Sequence, residues 1–407
     1  MMLRRLSPNQ IFALVFLAIS GVQVLAWNEV WLLMNGSDWS QADWLINNAA
    51  GPVRRGIFGS GLIALSDATG ITLLWLVVGI QAAITAILFG LVLWLITRMP
   101  DLPDRLLLLL VSPAFFVFWS NDFHAIGRKE IIACLAFMTL LVAVYRDRRS
   151  LLALVLAAMI FAVAGIAHEA NIFFLPFFAL AIHLVYGTTS LRRVAHATIA
   201  VLTLVAAGTM IYALKYASVK DTSLVCAPLL QRGFLPNICE GAITWLGYDI
   251  HYAVDKTRAK FLSLRFPQFL LIYGLILLPF WHFFREGPKG RSLFAAAALS
   301  GLFFLPLYVI AVDWGRWINF HVMALVFVIL IYLRVHRPTW AFQPLDDKTK
   351  NLFLFFSVVI GIHHVAGVPV GGFAFSWAKN YYVREVYQLE VRQIEQSQPV
   401  KTAPTLQ

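Results

Sequence analysis

Long apolar runs alternate with short polar connections along most of this chain. A membrane-spanning helix needs roughly 20 mostly apolar residues, whereas the strands of a membrane barrel alternate apolar and polar positions over about 10 residues. The runs lack that alternation and are rich in Leu, Ala, Ile and Phe, so they predict transmembrane helices. About eleven spans are predicted, within a range of roughly ten to twelve. Their approximate cores are Ile11 to Trp27, Ile71 to Ile96, Leu106 to Trp119, Ile131 to Tyr145, Leu151 to Ala167, Ile172 to Tyr186, Ala197 to Leu214, Phe269 to Phe284, Leu293 to Val312, Ile318 to Leu333 and Leu352 to Val365.

One apolar stretch is too long for a single span. As a helix, Leu151 to Tyr186 would extend about 54 Å at 1.5 Å per residue, against a hydrocarbon core of about 30 Å. The chain must therefore fold back within this stretch. His168 and Glu169 are its polar interruption and mark the predicted turn.

The composition also indicates an all-α polytopic membrane protein. Of 407 residues, 60% are hydrophobic and 13% are charged, and the mean hydropathy is +0.76. That leaves too little polar surface for an ordinary soluble protein of this size. No linker separates a second domain, so residues 1–396 are predicted to form one membrane domain, and residues 397–407 a disordered tail. Residues 28–70 and 215–268 are predicted external loops that carry amphipathic surface helices.

The basic residues predict an orientation. Arg4 and Arg5 precede the first apolar run, which has no convincing cleavage site and is therefore predicted to remain as the first helix, with a cytoplasmic N-terminus. Alternating spans then place most of the formal net charge of +11 on the inside, as the positive-inside rule requires. The basic balance thus reflects topology and contact with anionic lipid, and calls for no nucleic-acid partner.

The three cysteines fit this orientation. Cys226 and Cys239 share the second predicted external loop, whereas Cys134 lies in an apolar run. An oxidising compartment would permit a Cys226–Cys239 disulfide, which contributes roughly 3 kcal/mol in the chain-entropy model. Two unpaired thiols are the alternative.

Four polar clusters fall in turns that this topology places on the external side. The first follows Gly51 and Pro52 and contains Arg54 and Arg55. Guanidinium groups bind phosphate oxygens in a bidentate fork, and neighbouring glycines let the backbone approach a ligand closely. The pair is a candidate site for a lipid phosphate or pyrophosphate; generic lipid contact by the long side chains is the alternative.

The second cluster lies between Asn121 and Glu130. Arg128 and Lys129 are candidate phosphate ligands, and His124 or Asp122 is a candidate acceptor for a hydroxyl proton. A structural ion-pair network of Asp122, Arg128, Lys129 and Glu130 explains the same residues equally well.

The third and fourth clusters add candidate bases and a candidate sugar platform. His168 beside Glu169 is typical of an imidazole that a carboxylate orients, although a histidine at a helix end also serves as a cap. Asp313 and Arg316 are spaced to form a local salt bridge. With the adjacent Trp314 and Trp317, the same residues equally fit a site in which an indole stacks on a sugar ring and charged groups bind its hydroxyls. His363 and His364 are predicted to lie near the same end.

Known enzyme signatures do not decide the function. The chain contains no P-loop, CxxC, HExxH or serine-elbow motif. Asp38, Asp43, His168 and Glu169 are conceivable metal ligands, but their spacing specifies no metal. No metal and no cofactor are therefore predicted.

The external Arg, His and acidic residues and the aromatic-rich external loop give the chain a resemblance to Wzy-type and related exopolysaccharide polymerases. More distantly, it resembles membrane-embedded GT-C glycosyltransferases. In such enzymes arginines hold the polyprenyl pyrophosphate of the donor, and a base activates the acceptor hydroxyl. The resemblance implies that the pyrophosphate ligands are Arg54, Arg55, Arg128 and Arg316. It implies that the base is His168, Glu169 or Asp313. Many metal-dependent GT-C members carry adjacent acidic residues in the first external loop, whereas four residues separate Asp38 from Asp43 here, which favours a metal-independent reaction.

The residues together with the resemblance therefore predict a multi-pass glycosyltransferase or polysaccharide polymerase of the bacterial inner membrane, with its site on the periplasmic or exterior side. Its partners would be a polyprenyl-(pyro)phosphate-linked saccharide, the lipid bilayer and other proteins of polysaccharide assembly. The alternative is a transporter or flippase of lipid-linked saccharides, which would use the same cations for binding without chemistry. A transporter needs access from both sides, and the cytoplasmic halves of the predicted spans carry few polar residues.

Overall fold

A computed structural model describes residues 6–99 and 101–363, together with residues 372–374, 378, 381–382 and 385–386. Several predictions concern parts of the chain outside this description, namely those for Arg4, Arg5, His364 and the tail at 397–407. Within the described residues all regular secondary structure is helical, with no strand.

The helices follow one another with short connections. The α-helices are α1 (Pro8–Leu33), α2 (Ser40–Trp44), α3 (Gly56–Thr69), α4 (Leu73–Arg98), α5 (Asp104–Leu110), α6 (Val117–Asn121), α7 (Glu130–Tyr145), α8 (Leu151–Ala167), α9 (Leu175–Tyr186), α10 (Arg192–Lys215), α11 (Ser223–Leu230), α12 (Ile250–Phe261), α13 (Arg265–Phe284), α14 (Gly290–Leu299), α15 (Leu305–Ile310), α16 (Trp314–His336) and α17 (Asp347–Val359). Single-turn or slightly longer 3₁₀ segments lie at Asn48–Ala50, Phe123–Ala125, Glu169–Phe174, Pro236–Cys239, Thr244–Gly247, Ser300–Phe304 and Thr339–Phe342.

Seven helical stretches among the described residues are long and apolar enough to cross a membrane. They are Pro8–Leu33, Leu73–Arg98, Glu169–Tyr186, Arg192–Lys215, Arg265–Phe284, Gly290–Ile310 and Trp314–His336. Glu130–Tyr145 and Leu151–Ala167 are shorter apolar helices. The predicted class, an all-α polytopic membrane protein, is confirmed, and the number of spans stays a prediction.

Helix α16 is the core of the bundle. It is buried nearly all round, and its residues Phe320 and Phe327 contact aromatic rings of the elements that surround it. In contrast, α10 exposes large apolar side chains such as Leu204 and Ile211 along its outer surface. A helix that is apolar all round belongs in a protein core or against lipid, and these two helices represent the two cases.

The predicted span from Leu106 to Trp119 is divided in the structure. Helix α5 ends at Leu110, and α6 begins at Val117. Pro113 lies in the intervening segment, where it supplies no backbone N–H and disfavours the helical conformation of the residue before it. Apolar content alone predicted one helix here, whereas the proline interrupts it.

The two ends of the bundle carry separate groups of polar contacts. At one end, Lys350 Nζ lies 2.8 Å from Asp104 Oδ1, and Arg334 Nη2 lies 2.9 Å from Asp147 Oδ2. At the other end lie the residues around Arg55. We call this second end, defined by Asp43, Arg55, Lys129, Glu169 and Arg316, the Arg55 face.

Candidate functional site

Four helical segments begin at the Arg55 face and turn their N-terminal ends towards one another. Arg55 is the N-cap of α3, Lys129 of α7 and Asp313 of α16, and Glu169 opens the 3₁₀ segment that leads into α9. The N-terminal end of a helix carries unsatisfied N–H groups and a partial positive charge. The arrangement therefore favours negative charge at this face.

Arg55 joins three elements of the face. Its backbone is left-handed, with φ of 66°, which turns the side chain back from the start of α3. Nη1 donates to Asp43 Oδ1 at 2.7 Å, and Nε and Nη2 donate to the two oxygens of Glu169 at 2.9 and 2.6 Å. Both carboxylates thus hold Arg55, and the bidentate fork to Glu169 is the strongest geometry for such a pair.

Lys129 and Asp43 are a fully buried pair without a hydrogen bond. Lys129 Nζ lies 3.8 Å from Asp43 Oδ2, and neither atom has a hydrogen-bond partner among the described residues. Burial lowers the pKa of Lys129 to about 8, although the Asp43 carboxylate opposes the shift. Burial alone would raise the pKa of Asp43, but the charges of Lys129 and Arg55 hold it well below its usual range. Asp43 is therefore an anion at neutral pH.

Arg316 pairs with Glu130 across the bundle. Nε and Nη2 donate to the two Glu130 oxygens at 3.0 and 2.6 Å, and both side chains are at most 2% exposed. Arg316 Nη1 also lies 3.5 Å from Asp313 Oδ2. The predicted local Asp313–Arg316 bridge exists, but the longer-range bond to Glu130 is the closer one. Lys129 and Glu130, which one of the two alternatives placed in a local ion-pair network, pair with residues of other elements, Asp43 and Arg316.

Two arginines keep donors that no acceptor satisfies. Arg54 is 27% exposed, its Nη1 lies 3.6 Å from Glu169 Oε1, and its buried Nε has no partner among the described residues. Arg128 reaches the Trp39 carbonyl at 3.4 Å through Nη1 and lies over the Trp39 ring, and its Nε is likewise unsatisfied. Together with Lys129, these residues form a set of basic side chains with spare donors.

The structure assigns different surroundings to the predicted bases. His168 Nδ1 accepts the Ala170 N–H at 3.0 Å, which is the capping alternative that the sequence left open. Neutral His168 therefore carries its proton on Nε2. His124 packs on the Phe123 ring. Asp313 remains 22% exposed at the side chain, and so it is the most accessible carboxylate among the predicted bases.

The predicted tryptophan platform is covered in this structure. Trp314 Nε1 donates to the Tyr308 carbonyl at 3.0 Å, and edges of Phe266 and Phe269 pack against its ring. Trp317 lies under the Arg316 guanidinium, and its Nε1 has no partner among the described residues. Both rings are almost fully buried, so neither presents an open face to a sugar here.

Two contacts of the face were absent from the sequence analysis. Asp43 was considered only as a loop or metal residue, and a five-residue helix such as α2 has no periodicity that would reveal its buried side. His363 Nδ1 lies 3.5 Å from Asp122 Oδ2, which brings the segment after α17 to the connection between α6 and α7. For both contacts, the sequence signal was that the predicted topology places the residues on the external side.

Helix α2 is held in place by buried polar groups. Trp44 Nε1 and Gln81 Nε2 both donate to the Gly127 carbonyl, at 2.7 and 2.9 Å, and Gln41 Nε2 donates to Gln81 Oε1 at 2.6 Å. A disulfide joins Cys226 to Cys239, whose Cα atoms are 5.6 Å apart. The loop beside the disulfide contacts the segment that leads into α2, because the Ala242 N–H donates to the Asp38 carbonyl at 3.0 Å.

A cavity of about 190 Å³ adjoins the ion pairs. It lies where α3, α8 and α10 meet. Arg55 and Glu169 form its polar end, and its other walls include Ile57, Ile166, Gly208 and Tyr212. The cavity thus connects the charged face with the side of the bundle that carries exposed apolar residues.

The fold and its apolar helices define a polytopic helical membrane protein. Comparison with protein-family models, curated proteins and solved structures finds no match for this chain. The residues of the Arg55 face are therefore the features of this chain that bear on its function.

Proposed function

We propose that this protein is a membrane-embedded glycosyltransferase or polysaccharide polymerase that uses a polyprenyl-(pyro)phosphate-linked donor at the external face. One observation carries the proposal: at a face where helix N-terminal ends meet, Arg54, Arg128 and Lys129 keep donors that no acceptor among the described residues satisfies. Buried basic donors without acceptors favour an anionic ligand with several oxygens, such as a phosphate. A lipid-linked phosphate would reach this depth from the membrane.

The ion pairs divide the basic residues into two roles. Arg55 and Arg316 are each bonded to a carboxylate at two points, so they hold Glu169 and Glu130 in place. Direct phosphate contact then falls to Arg54, Arg128 and Lys129. The sequence prediction named Arg55 and Arg316 as ligands as well, and in this proposal they position the site.

In the proposed reaction an acceptor hydroxyl oxygen attacks the anomeric carbon of the donor sugar. The bond from that carbon to the phosphate oxygen breaks, and its electron pair goes to the departing phosphate. Fixed cations in a site shielded from water stabilise this developing charge. The hydroxyl proton passes to the Asp313 carboxylate, which is accessible, and from there to water.

Asp313 is the proposed base because the alternatives are engaged. Both oxygens of Glu169 accept bonds from Arg55, and His168 uses Nδ1 as a cap. An Asp313→Asn variant keeps the shape and removes the acceptor for the proton.

The test uses purified protein in liposomes with a polyprenyl-linked oligosaccharide. The proposal expects longer or transferred glycan, whereas movement of unchanged donor across the bilayer would establish a flippase instead. Arg54→Ala is expected to raise the KM for the donor about tenfold, since one charge-assisted phosphate contact is lost. Arg232→Ala is the matched control, because Arg232 pairs with the exposed Asp67 in the last turn of α3, at the opposite end of that helix from Arg55. Equal KM values for the two variants would remove Arg54 from the site.

Donor binding is expected to weaken at alkaline pH. The pKa of Lys129 is about 8, so Lys129 loses its charge as the pH rises through that value, while a phosphate with a second pKa near 6 keeps its own charge. The affinity for polyprenyl phosphate should fall about tenfold between pH 7 and pH 9.5. Lys129→Arg, which stays charged, should flatten this profile; identical profiles for the two proteins would contradict the assignment.

Titration of Lys129 has the opposite effect on folding stability, which increases with pH. The unfolded chain binds the Lys129 proton more tightly, because its pKa there is near the usual 10.5. Stability therefore rises with pH between about 8 and 10.5, as the buried charge is neutralised. A loss of donor binding in this range thus cannot come from titration of Lys129 unfolding the protein.

A further inference from the structure

We propose that the cavity between α3, α8 and α10 binds the first isoprene unit of the donor lipid. The inference rests on the proposed function, which places the donor phosphate at Arg54, Arg128 and Lys129. It adds where the hydrocarbon chain lies and from which side the lipid enters.

The position of the cavity indicates a ligand that comes from the membrane. Its neighbours on the outer surface are apolar and exposed: Leu204 is 73% exposed, Ile211 66% and Ile57 51%. In a membrane-spanning bundle such side chains lie against lipid. A ligand that reaches the cavity along this surface therefore comes from the hydrocarbon core of the membrane.

The polar end of the cavity lies next to a phosphate ligand. Glu169 lines the cavity, and its Oε1 is 3.6 Å from Arg54 Nη1. The backbone N–H of Arg54 donates to the Tyr216 carbonyl at 2.9 Å. Tyr216 lies one helical turn after Tyr212, which lines the cavity. A phosphate on Arg54 would thus place the first carbons of its chain at the cavity.

The size of the cavity favours one narrow chain. A dry cavity of about 150 Å³ holds a benzene molecule in a well-studied engineered case. By that measure 190 Å³ accommodates one branched five-carbon unit with some of the next. A prenyl phosphate has a single chain directly on its phosphate, whereas a diacyl phospholipid brings two chains on a glycerol. The geometry points to the prenyl lipid.

Gly208 offers a direct way to fill this space. A Cβ built at Gly208 meets no atom within 4 Å, and the residue lines the cavity. Gly208→Phe would place a ring about the size of the expected ligand there without a clash at Cβ. Gly90→Phe is the matched control, because Gly90 is also an exposed helical glycine with open space around its Cβ but lies on α4, away from the cavity.

The experiment measures binding to the purified full-length protein in detergent. The probes are a long-chain polyprenyl phosphate, dioleoyl phosphatidic acid and a short-chain alkyl phosphate, each followed by native mass spectrometry. The proposal expects wild type and Gly90→Phe to bind the polyprenyl phosphate alike, and Gly208→Phe to bind it about tenfold more weakly or worse. Binding of the short-chain phosphate should be the same in all three proteins.

The other outcomes separate the two proposals. If Gly208→Phe binds polyprenyl phosphate like wild type while Arg54→Ala does not, the cavity is not the chain site and the proposed function stands. If wild type binds no polyprenyl phosphate, the proposed function fails and the inference fails with it. If phosphatidic acid binds equally well and Gly208→Phe weakens both lipids, the cavity holds acyl chains and the assignment to a prenyl chain is wrong.

Discussion

Replacing Glu130 with alanine is expected to destabilise the folded protein by about 3–5 kcal/mol. The change leaves the Arg316 guanidinium almost fully buried without its bidentate partner, and the partly exposed Asp313 at 3.5 Å compensates only weakly. The free energy of unfolding in mixed micelles, followed by tryptophan fluorescence, measures the effect. This is the largest stability change that we expect from a single substitution at the Arg55 face.

Two control variants test whether the expected loss comes from the buried charge. Arg334→Ala breaks a pair in which Asp147 is 73% exposed, and it should cost less than about 1 kcal/mol. The double variant Glu130→Leu with Arg316→Met removes both charges and should recover most of the loss, since apolar residues of similar size often replace a buried pair without penalty. A Glu130→Ala loss no greater than that of Arg334→Ala would show that the Glu130–Arg316 pair is not needed to stabilise the folded bundle.

Replacing Lys129 with methionine is expected to abolish most of the activity while leaving the folded protein stable, in contrast to Glu130→Ala. Methionine has a similar length and needs no hydrogen bond, and Asp43 keeps its 2.7 Å bond to Arg55. The free energy of unfolding should therefore change by less than about 1 kcal/mol or increase. The rate of glycan transfer in liposomes should fall about 10²- to 10³-fold, as is typical when one donor to a developing anion is removed.

Lys350→Met is the matched control for this variant. Lys350 also pairs with an aspartate, Asp104, but at the opposite end of the bundle, and its replacement should leave transfer unchanged. Wild-type transfer by Lys129→Met would contradict the proposed phosphate role, whereas a large loss of stability would show that Lys129 is needed to hold Asp43.

The sequence predicted the helices well because lipid imposes a simple rule. A span must be apolar over its full length, so a stretch such as Ile71 to Ile96 indicates a helix without further information. The turn at His168 followed from length alone, and the structure places the end of α8 at Ala167. The rule failed at Leu106 to Trp119, where the segment is buried within the protein and other helices surround the broken backbone.

The partners of the charged residues could not be predicted in the same way. Arg316 and Glu130 are 186 positions apart, and nothing in either neighbourhood selects the other, whereas Asp313 was the obvious local choice. The predicted topology placed both residues on the external side of the membrane. Which acid then meets which base depends on how the helices pack, and that information is spread over the whole bundle.

The separation of Arg316 from Glu130 also affects how the protein is made. The ribosome synthesises α7 well before α16. Glu130 therefore enters the bundle without its counterion Arg316, which follows 186 positions later in the chain. A lone ionised group at membrane depth is costly. The nascent bundle is therefore incomplete until its central helix arrives, and chains truncated before α16 should be recognised and degraded by quality control.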